Sequence, residues 1–173
     1  NETGFRSNRP FLQERLPGYR RVLLFGDSFT AGEAVSNAQR YSDLIEARLS
    51  GLEVYNFALP GTGTDQQYLV WRELAQGIEH DQVIIAVLVE NVRRNLARYR
   101  PYFDETGRER IFAKPYYTLD GDDLRLHHVP PRRLPLEAHE LPPEERDTID
   151  SGGRFPLLRQ VVNAVGAKEV IQR

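Results

Sequence analysis

The sequence predicts an α/β fold built on a doubly wound parallel sheet, and three observations carry that reading. Val22–Phe25 is an apolar run that ends in Gly26-Asp27-Ser28, the pattern of a strand buried on both faces and followed by a tight turn. Two further strand-like runs follow, at 53–58 and 82–89. Between consecutive runs lie segments with helical periodicity, and repeated crossovers of this kind imply parallel strands.

Residues 1–20 mix Gly, Pro, Asn and Arg with isolated aromatics and read as an irregular arm lying on the domain. The first strand covers 22–26. Residues 38–50 read as a helix with Tyr41, Leu44, Ile45 and Leu49 on one face, stopped by Gly51. The second strand, 53–58, leads into Leu59-Pro60-Gly61-Thr62-Gly63. Thr64 and Gln67 have capping-box spacing. The helix they open, about 65–78, is expected to bury Tyr68, Leu69 and Ile78, with Trp71 nearby. Residues 82–89 form the most apolar strand of the chain.

The texture changes after Val89. Glu90–Arg100 is polar and arginine-rich and reads as a short helix; Arg93, Arg94, Arg98 and Arg100 read as a solvated face. Most of the eleven prolines lie between Pro101 and Pro156. Within that stretch 116–119 and 124–127 flank Asp120-Gly121 as a hairpin. Residues 130–153 read as a long exposed loop without a second core. Leu158, Val161, Val162 and Val165 mark an amphipathic helix. The expected organisation is one α/β domain over 1–173 with an irregular, Pro-rich insertion at about 99–154.

Composition narrows the chemistry. The 173 residues fit one domain, and the net charge of −2 gives no reason to invoke nucleic acid or an anionic membrane. No apolar run approaches the roughly 20 residues of a membrane-spanning helix. The chain has no cysteine, which removes thiol catalysis and thiolate metal sites. It also has no methionine and reads as a processed product or a piece of a longer chain. A removed export signal, with an extracytoplasmic or periplasmic location, fits that reading.

Three strand ends carry candidate groups: Ser28, then Asn56 leading to Gly61, then Asn91. In a parallel sheet the carboxyl ends lie on one edge, so residues far apart in sequence can converge there. That set suits acyl transfer. Ser28 is the candidate nucleophile; the backbone N–H groups of Ser28 and Gly61, with the Asn91 amide, are candidate oxyanion donors. Asp27 reads as a structural support for the loop. The rival readings are plain: Ser28 or Asp27 as a helix cap, or Gly61-Thr62-Gly63 as a phosphate cradle. No Lys follows as in a P-loop.

Phe25-Gly26-Asp27-Ser28-Phe29-Thr30-Ala31-Gly32-Glu33, with Asn56-x-x-x-x-Gly61 and Asn91, resembles the GDSL or SGNH hydrolases over roughly residues 19–95. The resemblance implies a flavodoxin-like, three-layer sheet and metal-free, cofactor-free ester hydrolysis. It also implies Ser28, Gly61 and Asn91 as site residues, and an acyl-ester substrate such as an acylated sugar or small molecule. The sequence departs from the family in two places. The family's third block commonly reads Gly-x-Asn-Asp, whereas this chain has Val89-Glu90-Asn91-Val92; Glu90 either replaces part of the support of Asn91 or projects a carboxylate into the cleft. The family's base is a His in an Asp-x-x-His motif, and none of His80, His127, His128 and His139 has that spacing. The expectation is therefore the N-terminal portion of a longer hydrolase whose His lies beyond this chain. A non-catalytic binding domain and an acyltransferase on the same scaffold are the alternatives.

Overall fold

The computed structural model describes residues 1–150. The chain is mixed α/β and divides into two compact units, Asn1–Val92 and one beginning at Arg93. The first unit contains β1 (Arg20–Phe25), α1 (Ser28–Ala31), α2 (Tyr41–Arg48), β2 (Leu52–Asn56), α3 (Thr64–Val70) and β3 (Gln82–Ile85). Its sheet has the order β2-β1-β3, and both pairings are parallel. The three strands read from the sequence thus lie side by side with the first in the middle. Leu23, Leu24 and Phe25 of β1 are buried, as a central strand requires.

Leu23, Phe25, Tyr55 and Phe57 form one face of the core with Phe5, Ala75 and Ile78, and Phe11 and Trp71 pack at its margin. Phe57 meets Phe25 at 5.3 Å and Phe5 at 4.9 Å between ring centroids. The N-terminal arm is therefore a structural part of the unit. Arg21 holds it from below. This side chain is fully buried and pairs with Glu53 at 2.8 Å, its partner in the β1–β2 register. Its guanidinium donates to the carbonyls of Leu12 (2.9 Å), Glu14 (2.9 Å) and Glu79 (3.2 Å) and lies 4.4 Å from the Tyr55 ring centroid. A buried charge needs such a set of partners to offset its lost hydration.

Three expectations for this unit are corrected. The helix expected over 38–50 is the shorter α2, preceded by a 3₁₀ turn at Asn37–Gln39. Tyr41, Ile45 and Leu49 are exposed, and Ser42 is the buried residue of α2. The Ser42 hydroxyl accepts the Asn56 amide at 2.9 Å, so a small polar group sets this side of the helix. The helix expected over 65–78 is α3 followed by a π-helical turn, Trp71–Ala75. The wider turn rephases the helix: Ala75 and Ile78 face the core while Tyr68 is exposed. Gly63 is the N-cap and makes no side-chain cap bond; Thr64 is already helical, so the expected capping box does not form. Finally, β3 stops at Ile85 and is not buried. Val83, Ile84, Ile85 and Val87 are 38–53% exposed, because among the described residues no strand pairs with its outer edge. Apolar composition does not separate a central strand from an edge strand.

The second unit contains β4 (Tyr99–Phe103), β5 (Glu109–Ala113), β6 (Tyr116–Asp120), β7 (Asp123–His127) and α4 (Pro143–Arg146). β6 and β7 form the expected hairpin, turning at Gly121-Asp122 with Gly121 at φ +64°. Tyr116 stacks on its cross-strand partner His127, centroids 4.8 Å apart. The antiparallel pair β4–β5 was not legible in the sequence. Its turn is built by Asp104, whose carboxylate accepts the backbone N–H of Thr106 (2.9 Å) and Arg108 (3.0 Å).

Tyr99, Ile111, Leu136 and Leu141 form a core within this unit, so the stretch read as an exposed loop without a core contributes to one. Leu136 and Ile111 exchange backbone hydrogen bonds of 3.0 and 2.7 Å. The arginines read as a solvated face are engaged: Arg93 pairs with Asp150, Arg98 covers the Tyr116 ring and Arg100 the Tyr102 ring. The amphipathic helix marked by Leu158, Val161, Val162 and Val165 lies outside the described residues.

Tyr99 gives this unit a testable pH dependence. Burial, reinforced by its hydrogen bond to Glu145, pushes its phenol up to about 12. The folded state therefore retains this proton where the unfolded chain has released it. The stabilisation is complete below pH 10 and is lost as pH rises toward 12, on the order of 2 kcal/mol across that window. Thermal melting between pH 9 and pH 12 should show this fall, and Tyr99→Phe should flatten it.

Candidate active site

The first block is a strand end folded tightly onto a one-turn helix. A Cβ at Gly26 would lie 2.3 Å from Thr30 Oγ1 and 2.5 Å from Thr30 Cβ, so only glycine lets α1 close against the end of β1. Asp27 is the N-cap: its Oδ1 accepts the Phe29 N–H at 3.0 Å, and its carbonyl accepts Ala31 N–H at 2.8 Å. Ser28 is the first residue of α1 and is partly exposed. Among the described residues no hydrogen bond fixes its hydroxyl. Phe29 beside it is 73% exposed.

The second block is wired to the first. Asn56 is buried; its amide donates to Thr30 O (2.8 Å) and Ser42 Oγ (2.9 Å), while its oxygen accepts Ala58 N–H at 3.0 Å. The loop that follows returns to the end of β1. Leu59 N–H donates to Gly26 O at 3.2 Å, and Thr62 Oγ1 donates to Leu59 O at 2.9 Å, with a longer contact to Gly26 O at 3.4 Å. Gly61 is buried with φ +76°, a conformation that favours glycine.

The third block closes the set. Asn91 is buried, and its Nδ2 donates to Asp27 Oδ2. Its own N–H donates to Leu88 O at 2.9 Å. Glu90, the expected substitute support, is exposed; Asp27 does that work instead. An amide nitrogen carries two N–H bonds, so Asp27 orients Asn91 with one and leaves the other as a donor. The hydrogen bonds thus join the blocks at Asp27 beside Ser28, at Thr62 beside Gly61, and at Asn91 itself. Sequence reasoning saw Asp27 as a loop support but missed this second partner. The available signal was a carboxylate one residue before Ser28, in a chain with Val92 and no acidic residue directly after Asn91.

His80 is placed elsewhere, and His127 and His128 are engaged. His80 precedes β3, and Asp81 N–H donates to Arg21 O, which puts it at the opposite end of the parallel sheet from Ser28. Its Nδ1 lies 2.7 Å from Ile78 O. His127 Nε2 lies 2.7 Å from Thr118 Oγ1, and His128 Nδ1 lies 3.1 Å from Lys114 O, both within the second unit. Among the described residues there is no group of three or more His, Asp or Glu side chains placed to hold a metal ion, and no helix is long and apolar enough to cross a membrane. In comparisons with protein-family models, curated proteins and solved structures, the chain matches none.

Proposed function

We propose that the chain carries the nucleophile and oxyanion hole of a serine esterase or deacylase of the SGNH type, on a flavodoxin-like three-layer scaffold, acting on a small acyl ester. The observation that carries the reading is the Asn91–Asp27 hydrogen bond, which orients the third block on the residue preceding Ser28. Support also comes from the parallel order β2-β1-β3 and from the return of the Gly61 loop to Gly26.

In this mechanism Ser28 Oγ attacks the acyl carbonyl as a base removes its proton. The charge on the carbonyl oxygen is held by the N–H groups of Ser28 and Gly61 and by the second N–H of Asn91 Nδ2. The tetrahedral intermediate collapses, the alcohol leaves with a proton, and water releases the acid from the acyl-Ser28 ester. The reading requires an imidazole as the base, and among the described residues none is hydrogen-bonded to Ser28. The second reading, a binding domain without catalysis, is favoured by one observation: His80, the histidine of the Ser28 unit, sits at the far end of the sheet.

Asn91→Ala tests the first reading. It is expected to lower kcat about 10²–10³-fold with little change in KM, the signature of a lost oxyanion donor. An equal rate for the variant would remove Asn91 from the mechanism.

A further inference from the structure

We infer that Gln67 is a positioning residue, which holds the Asp27–Asn91 pair through a single enclosed water molecule. Gln67 lies on α3, is 5% exposed, and its Oε1 meets no donor. A buried acceptor without a partner is costly. The side chain lines a cavity of about 10 Å³ whose wall also includes Asp27, Thr62, Thr64, Asn91 and Val92. That is the lower limit of space for one water molecule. In so small a space one occupant touches the opposing walls together. Water is the chemistry that fits: it donates to the Gln67 oxygen and has a second hydrogen for the carboxylate or amide oxygens of Asp27 and Asn91. An apolar occupant would leave the Gln67 acceptor unsatisfied.

The consequence is mechanical. Asp27 already caps α1 and accepts Asn91. The water extends that network to α3, so the helix after the Gly61 loop bears on the same pair. The role in catalysis rests on the proposed esterase reading; the water site and its effect on Asn91 do not.

The test uses the 173-residue chain and three measurements that need no turnover. In a crystal structure that resolves ordered solvent, a water should lie within hydrogen-bond distance of Gln67 Oε1 and of an Asp27 or Asn91 oxygen. Gln67→Met, of similar length, should lower Tm by roughly 2–4 °C and shift the Asn91 side-chain amide resonances while leaving those of Asn56 in place. A dry cavity, or a rise in Tm as the orphan acceptor is removed, would overturn the proposal. So would an unshifted Asn91 amide. Loss of Ser28-dependent turnover in every form of the protein, with the water present, would count against the esterase reading alone.

Discussion

Arg21→Ala is expected to destabilise the first unit by about 3–5 kcal/mol, a large share of the roughly 5–15 kcal/mol that holds a domain folded. The substitution leaves Glu53, 1% exposed, with only the longer 3.7 Å contact to Arg9. It also strips a donor from the carbonyls of Leu12, Glu14 and Glu79 and the cation from the Tyr55 face. Urea unfolding followed by fluorescence measures the loss. Arg15→Ala is the control, because its pair with Asp81 is half-open to solvent and such pairs contribute no more than about 1 kcal/mol. The double variant Arg21→Met with Glu53→Leu should recover much of the ion-pair cost. It should not recover the arm, so proteolysis between Leu12 and Glu14 should accelerate. Equal midpoints for Arg21→Ala and Arg15→Ala would mean that Phe5 and Phe11 alone retain the arm.

Ser28→Ala carries the largest expected effect on activity. In the longest native form of the protein, hydrolysis of a short-chain aryl ester should fall on the order of 10⁶-fold in kcat, as when a triad nucleophile is removed. The 173-residue chain by itself is expected to be far slower in the same assay. A serine hydroxyl at neutral pH needs a base at hydrogen-bond distance, and His80 is at the wrong end of β3. That chain should retain only the residual acceleration, about 10³–10⁴-fold over water, that binding and an oxyanion hole provide. Robust Ser28-dependent turnover by the 173-residue chain would locate a base within it, with His127 and His128 as the first to substitute.

The parallel core was legible because its signals are local and redundant. An apolar run into Gly26-Asp27-Ser28 needs a strand and a tight turn, and Gly61 needs its left-handed backbone. Two crossovers make the three strands parallel, and the order β2-β1-β3 is the one the flavodoxin-like resemblance implies. What was not legible depends on partners. Nothing in Val83–Val87 states whether another strand lies beside it. The phase of the helix after Gly63 depends on a π turn that no periodicity count contains. β4 and β5 hide because their pairing is held by Asp104 and by Leu136, distant in sequence, and not by alternation. The site divides in the same way. Ser28, Gly61 and Asn91 are visible as residue types at strand ends, while the Asp27–Asn91 bond is a tertiary contact. So is the Asn56 network linking α1, α2 and β2.

The most direct measurement is a crystal structure of the longest native form after reaction with an alkyl fluorophosphonate, which leaves a tetrahedral phosphonate on a nucleophilic serine. The account predicts a covalent bond to Ser28 Oγ and one phosphonyl oxygen about 2.7–3.1 Å from Ser28 N, Gly61 N and Asn91 Nδ2, with Asn91 still bonded to Asp27. An unreacted Ser28, or a phosphonyl oxygen turned away from Gly61 and Asn91, would contradict it.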